Sequence, residues 1–81
     1  MKFSHDRPPI YEKCKELFGV DWETVVITYG DTVYSKYPIS EDLKAHEGVH
    51  IEQQLETGAD LWWEKYFEDS VFRLGQEVPA Y

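Results

Sequence analysis

One motif constrains this chain more than any other stretch: residues 46–50 read H-E-G-V-H, and residues 52–54 read E-Q-Q. On a helix, residues four apart are separated by about 6 Å along the axis and about 40° around it. Two imidazoles so placed can bind one tetrahedral zinc ion, and the neighbouring carboxylate can accept a proton from a water that the metal activates. The spacing therefore predicts a helical metal site with His46 and His50 as ligands and Glu47 as the general base.

The alternative interpretation of this motif is a surface helix with two solvated histidines, because a pattern this short also occurs in helices that bind nothing. The context favours a metal site. The chain has only three histidines, and two of them form the pair. The third, His5, lies in an N-terminal arm, where we expect an ordinary solvated side chain.

The length and the cysteine content leave room for a stabilising metal. The chain has 81 residues and a single cysteine, Cys14, so one small domain is expected and no intrachain disulfide can form. A domain of this size buries a modest fraction of its surface and often gains stability from a bound metal. Cys14 itself is predicted to be a buried apolar residue of the first helix.

The charge and the hydropathy exclude several classes of protein. Sixteen acidic residues against eight basic ones give a net charge of −8, which argues against a nucleic-acid partner. The N-terminus lacks the charged start and apolar run of a signal peptide, and no stretch is apolar enough to cross a bilayer. We therefore expect a cytoplasmic protein without membrane contact.

The residue pattern predicts a single α+β domain in which a β-hairpin precedes the motif helix and an aromatic-rich helix packs on it. Gly19, Gly58 and Gly75 are predicted to end helices, Gly30 to form the hairpin turn, and Ser40 to cap the motif helix. The predicted N-terminal arm covers residues 1–9, and the first helix covers residues 10–18. The hairpin strands cover residues 24–29 and 32–36, the motif helix covers 41–57, and the aromatic helix covers 59–74.

A third metal ligand has to come from another part of the chain, because a catalytic zinc takes three protein ligands and one water. Glu77 is the preferred candidate, since it follows a helix that returns the chain toward the motif. On a straight helix Glu56 points about 240° away from His50. The alternatives that stay open are Glu56, Asp60, Glu64 and Glu68.

The stretch 34–54, together with E-V-P-A-Y at 77–81, resembles the zincin metallopeptidases, specifically their gluzincin-like branch with two histidines and one glutamate. It is also similar to short phage and bacterial metallopeptidase-like proteins with H-E-x-x-H-x-x-Q and a later E-x-x-A-Y-like stretch. The resemblance covers roughly the C-terminal half. It implies a minimal zincin-like fold, zinc held by His46, His50 and Glu77, and Glu47 as the general base.

The resemblance also implies a way of binding substrate, in which the hairpin strand before the motif helix forms an edge for an extended peptide. We expect the family's usual downstream subdomain to be missing. No further histidine follows the motif to stabilise an oxyanion. The weak candidates for that role are Tyr34, Tyr37, Tyr66 and Tyr81.

The predicted function is zinc-dependent hydrolysis of peptide bonds in a peptide or protein substrate. Two alternatives stay open. One is a zinc-stabilised binding protein that has kept this core with little or no turnover. The other is a metal-free acidic interaction module.

Overall fold

The computed structural model describes residues 1–81 and confirms an α+β fold. None of its helices combines the length and apolar character that a bilayer-crossing segment needs. In chain order the elements are β1 (Lys2–Ser4), α1 (Tyr11–Phe18), β2 (Ile27–Tyr29), β3 (Thr32–Tyr34), α2 (Glu41–Thr57), α3 (Ala59–Glu68), α4 (Ser70–Glu77) and a 3₁₀ turn (Val78–Ala80).

The bounds of the motif helix α2 follow its local sequence. The Ser40 hydroxyl accepts a hydrogen bond of 3.2 Å from the Leu43 amide, which satisfies one free N–H of the first turn. Gly58 follows the last helical residue with a φ of +92°, in a region that favours glycine. The prediction of a helix over residues 41–57 is therefore confirmed.

The sheet has the strand order β1-β3-β2. β2 and β3 form the predicted antiparallel hairpin, although both strands are shorter than predicted, and Gly30 makes the turn with a φ of +62°. The prediction of an irregular N-terminal arm is wrong for its first residues, because β1 pairs in parallel with β3 and places Phe3 opposite Val33.

The strand before α2 is β3, and it is the central strand rather than an edge. The predicted peptide-binding edge at this strand is therefore wrong, since its backbone groups are paired on both sides. The outer edge of β2 is also partly occupied. Its Thr28 carbonyl accepts hydrogen bonds from Gln54 Nε2 at 2.7 Å and from Trp63 Nε1 at 3.1 Å.

The predicted continuous helix over 59–74 is broken at Asp69, which has an extended backbone. The Asp69 carboxylate accepts hydrogen bonds from the amides of Val71 and Phe72, and thereby caps a new helix, α4. An aspartate side chain that accepts hydrogen bonds from two free amides stabilises the N-terminus of a new helix, and this competes with continuation of α3. Gly75 lies inside α4 and does not end it, so that prediction is wrong as well.

The core joins α1, β2 and α3. Its buried residues are Tyr11, Cys14, Ile27, Trp62 and Trp63, and the predicted burial of Cys14 is confirmed. The buried residues of α2, by contrast, are all polar: Glu47, His50 and Gln54. Buried polar groups are costly unless they find partners. The inner face of α2 is therefore where a functional site is expected.

Candidate metal centre

The two motif histidines converge on one point in front of α2. Their rings are 4.8 Å apart between centroids, and their Nε2 atoms are 3.2 Å apart. Both side chains leave the same face of α2 one turn apart, as the four-residue spacing requires. His50 is buried and His46 half-buried.

The other ring nitrogen of each histidine faces an acceptor. His46 Nδ1 lies 3.1 Å from the Ala80 carbonyl oxygen, and His50 Nδ1 lies 2.8 Å from Gln53 Oε1. The Gln53 amide nitrogen donates to the Gln76 carbonyl at 2.9 Å, which fixes Oε1 as the oxygen that faces His50. Each Nδ1 therefore donates a proton to its acceptor, which leaves each Nε2 directed at the point where the two rings converge.

Glu77, the last residue of α4, completes this arrangement from the opposite side. Its Oε1 lies 2.7 Å from His50 Nε2 and 3.3 Å from His46 Nε2. Its other oxygen accepts a 2.5 Å hydrogen bond from the Tyr66 hydroxyl. Three atoms that carry lone pairs thus lie within 2.7–3.3 Å of one another. Ligands at 2.0–2.1 Å around one tetrahedral zinc would be separated by about 3.3–3.4 Å.

Glu47 lies beside this triangle without belonging to it. It is 4 % exposed, its Oε2 is 4.0 Å from His46 Nε2, and that oxygen has no hydrogen-bond partner. His46, Glu47 and His50 together form a cluster whose ligand atoms lie within 4.8 Å and could hold a metal ion. Glu47 Oε2 is 4.0 Å from His46 Nε2, whereas Glu77 Oε1 is 3.3 Å from His46 Nε2 and 2.7 Å from His50 Nε2. Of the two carboxylates, Glu77 is therefore the one that lies close to both histidine nitrogens.

The electrostatics of the site follow from burial and from these contacts. Burial raises the pKa of Glu47 to about 7, and the negative charge of Glu77 adds to the shift. For Glu77, burial acts upward, but the hydrogen bonds with His50 and Tyr66 outweigh it and lower the pKa. Burial lowers the pKa of His50, yet its contacts with Glu77 and Gln53 produce a net rise. The centre between the three ligand atoms therefore favours a cation.

A cavity of about 290 Å³ opens in front of the cluster. His46, His50, Glu47 and Glu77 all line it, and no lysine or arginine does. The remaining wall is largely apolar and aromatic, and consists of residues such as Leu43, Ile27, Trp62, Tyr66 and Tyr81. A small molecule or an extended chain segment could therefore reach the two histidines and both carboxylates.

The structure also locates the other residues that the sequence singled out. None of the alternative third ligands Glu56, Asp60, Glu64 and Glu68 lines this cavity. His5 lies elsewhere, with its Nδ1 2.9 Å from the Ser35 carbonyl oxygen.

Among the four candidate tyrosines, Tyr66 and Tyr81 line the cavity, whereas Tyr34 and Tyr37 do not. The Tyr81 ring lies 4.4 Å from the His46 ring between centroids.

The roles of Gln53 and Tyr66 next to the ligand atoms were not predicted. Gln53 could have been found from its position three residues after His50, because side chains three apart on a helix are neighbours. Tyr66 carried no such signal, since its contact with Glu77 depends on how α3 and α4 pack.

Comparison of the chain with protein-family models, with curated proteins and with solved structures found no match. What is established at this site is therefore a His46-Glu47-His50 cluster that could hold a metal ion, with Glu77 facing both histidines.

Proposed function

We propose that this protein is a zinc-dependent metallopeptidase with a minimal zincin-like domain. The observation that carries the proposal is the convergence of His46 Nε2, His50 Nε2 and Glu77 Oε1 within 2.7–3.3 Å, with both Nδ1 atoms already facing acceptors. Three lone pairs at such distances repel one another unless a cation lies among them. A proton can serve only one pair at a time, whereas a metal ion serves all three.

The donor set supports zinc as this cation. Two imidazole nitrogens and one carboxylate oxygen form the ligand set of several catalytic zinc sites, which leave one position free. When bound, zinc would supply Lewis-acid polarisation of a peptide carbonyl and lower the pKa of a water. The partners of the ligands, Gln53 and the Ala80 carbonyl on the histidines and Tyr66 on Glu77, would hold the three ligands in place.

In the proposed reaction Glu47 moves the protons. Its Oε2 lies 4.0 Å from His46 Nε2, beside the proposed ligands, so the carboxylate is placed to act as a general base on a water bound there. Glu47 would accept a proton from the attacking water and donate it to the leaving amine when the C–N bond breaks. Its unpartnered Oε2 is free for this purpose.

The test compares Glu47→Gln with the parent protein. We expect Glu47→Gln to retain zinc, measured by elemental analysis, and to lose cleavage of a peptide library followed by mass spectrometry. Glu52→Gln, an exposed change on the same helix, is the matched control and should keep both properties. Cleavage by the parent protein should also stop when a chelator is added. Equal cleavage by Glu47→Gln would remove Glu47 from the mechanism.

One observation favours a second candidate, a zinc-stabilised binding protein with little or no turnover. The Tyr66 hydroxyl already donates to Glu77, and no lysine or arginine lines the cavity to stabilise an oxyanion. This candidate predicts stoichiometric zinc together with no chelator-sensitive cleavage of any peptide. A protein that binds no zinc would exclude both candidates and favour the metal-free acidic interaction module.

A further inference from the structure

A second cavity, of about 660 Å³, lies between α1 and α3 on another face of the molecule. Its apolar lining comes from Ile10 and Leu17 on the side of α1 and from Trp63 and Phe67 on α3. Leu17 is 45 % exposed and Trp63 is buried, so the apolar surface that faces solvent comes mainly from Leu17 and from the half-buried Ile10 and Phe67. Only Trp63 also lines the cavity at the metal centre, which makes the two cavities largely independent.

The rim of this groove is acidic. Asp60, Glu64 and Glu68 follow one another at four-residue intervals along α3, and Glu12 lies on the side of α1. Such a row extends over about 12 Å of helix. None of these four exposed carboxylates takes part in an ion pair, and Lys13 is the single cation among the lining residues.

We propose that this groove binds a basic amphipathic helix of a partner protein. The apolar stripe of that helix would cover Leu17 and Phe67, which removes exposed apolar surface from water. Lysine or arginine residues at four-residue spacing on the partner would match the repeat of the carboxylates on α3. The row of carboxylates, in which Asp60 accepts a hydrogen bond from the Tyr29 hydroxyl and none has an ion-pair partner, would also exclude acidic partners. The proposal does not depend on the metal centre.

The probe is a synthetic helical peptide with leucines at positions i, i+3 and i+7 and flanking lysines at four-residue intervals. The comparison peptide carries glutamate in place of each lysine. We expect the lysine peptide to bind saturably, with NMR shift changes concentrated in α1 and α3, and the glutamate peptide not to bind. Absence of saturable binding by the lysine peptide would overturn the proposal.

Two variants separate specific docking from general attraction by an acidic protein. Glu64→Lys combined with Glu68→Lys should weaken binding about tenfold. The matched control, Glu52→Lys combined with Glu56→Lys, changes the net charge equally at the same spacing on exposed positions of α2. It should weaken binding by no more than about twofold, because distant charges are screened. An equal loss in both double variants would overturn the proposal.

A third variant tests the apolar part of the groove. Leu17→Asp places a charge on an exposed position, so folding should persist while binding of the lysine peptide is lost. Unchanged binding of the lysine peptide by this variant would show that the peptide is held by charge attraction alone, and would overturn the proposal. The proposal would also be overturned by concentration-dependent dimerisation that Leu17→Asp abolishes, since the occupant would then be a second copy of this chain.

Discussion

The two sides of the candidate metal centre are built differently. On one side, α2 has 17 residues, and three of them are buried, including Glu47 and His50. On the other side, α4 has eight residues and buries none of them, although it provides Glu77. Its Val71 and Leu74 are 79 % and 65 % exposed. A helix this short is marginal by itself and depends on tertiary contacts.

The contacts that hold the C-terminal segment against α2 are mostly polar. His46 and Gln53 interact with the carbonyl oxygens of Ala80 and Gln76, and Glu77 faces both histidines. One side of the centre is thus anchored by burial, whereas the other is anchored by half-buried residues, through the ligand atom of Glu77 and through contacts of Phe72 and Gln76 with Trp62. The comparison indicates that a bound metal would stabilise α4 far more than α2.

If zinc binds as proposed, its removal should have the largest effect. A ligand present at a thousand times its dissociation constant stabilises a protein by about 4 kcal/mol, which corresponds to about 15 °C or more in Tm for a domain of this size. We expect the zinc-loaded protein to lose this stabilisation on addition of a chelator. Hydrogen exchange should then rise first in the amides of α4, while those of α2 keep their protection.

The variant Glu77→Gln should reproduce the effect of the chelator, and Glu68→Gln, an exposed change near the start of α4, is its control. A zinc-dependent Tm that survives in Glu77→Gln would contradict the role of Glu77. Equal loss of protection in α2 and α4 would contradict the difference between the two sides.

The pH dependence of the stability of the metal-free protein should reveal the free-energy cost of ionising the buried Glu47 on α2. Burial raises the pKa of Glu47 from 4.5 to about 7. Folding therefore favours the protonated form of Glu47. The contribution of this group to the free energy of unfolding is complete below pH 4.5 and is lost as the pH rises through 7. Glu47→Gln removes this loss, so above pH 8 the metal-free variant should exceed the parent in stability by about 3 kcal/mol.

Denaturant unfolding of the metal-free proteins across this pH range measures the difference, which should vanish near pH 4. Glu52→Gln, on the exposed face of the same helix, should show no comparable trend. A stability difference for Glu47→Gln that does not change with pH would show that Glu47 ionises normally in the folded protein.

The smallest expected effect concerns Gln53, which connects the two sides. Gln53→Leu removes the acceptor for His50 Nδ1 and the donor to the Gln76 carbonyl, so zinc affinity should fall about 10–100-fold. Gln53→Glu keeps an acceptor for His50 and should lose less. Competition with a metal-sensitive dye measures both affinities. Equal affinities in Gln53→Leu and the parent would show that Gln53 does not orient His50.

The correct predictions had a local cause, although the Asp69 cap that starts α4 is also local and was missed. Four-residue spacing brings His46 and His50 to one face of any helix, and the Ser40 cap fixes where that helix begins. Gly30 identified the hairpin turn. The candidates for the third ligand could be ranked from the sequence. The sequence could not decide among them, because the answer depends on the path of the chain after α3.

By itself, then, the sequence determined the α+β class, helix α2, the hairpin and the shared face of the two histidines, since short-range geometry and capping suffice for these. Only the tertiary structure decided that β1 pairs with β3 and that Glu77 rather than Glu64 faces the histidines. These features depend on contacts between residues far apart in the chain. A local pattern of charge or hydropathy does not predict the distance in space between residues that are far apart in the sequence.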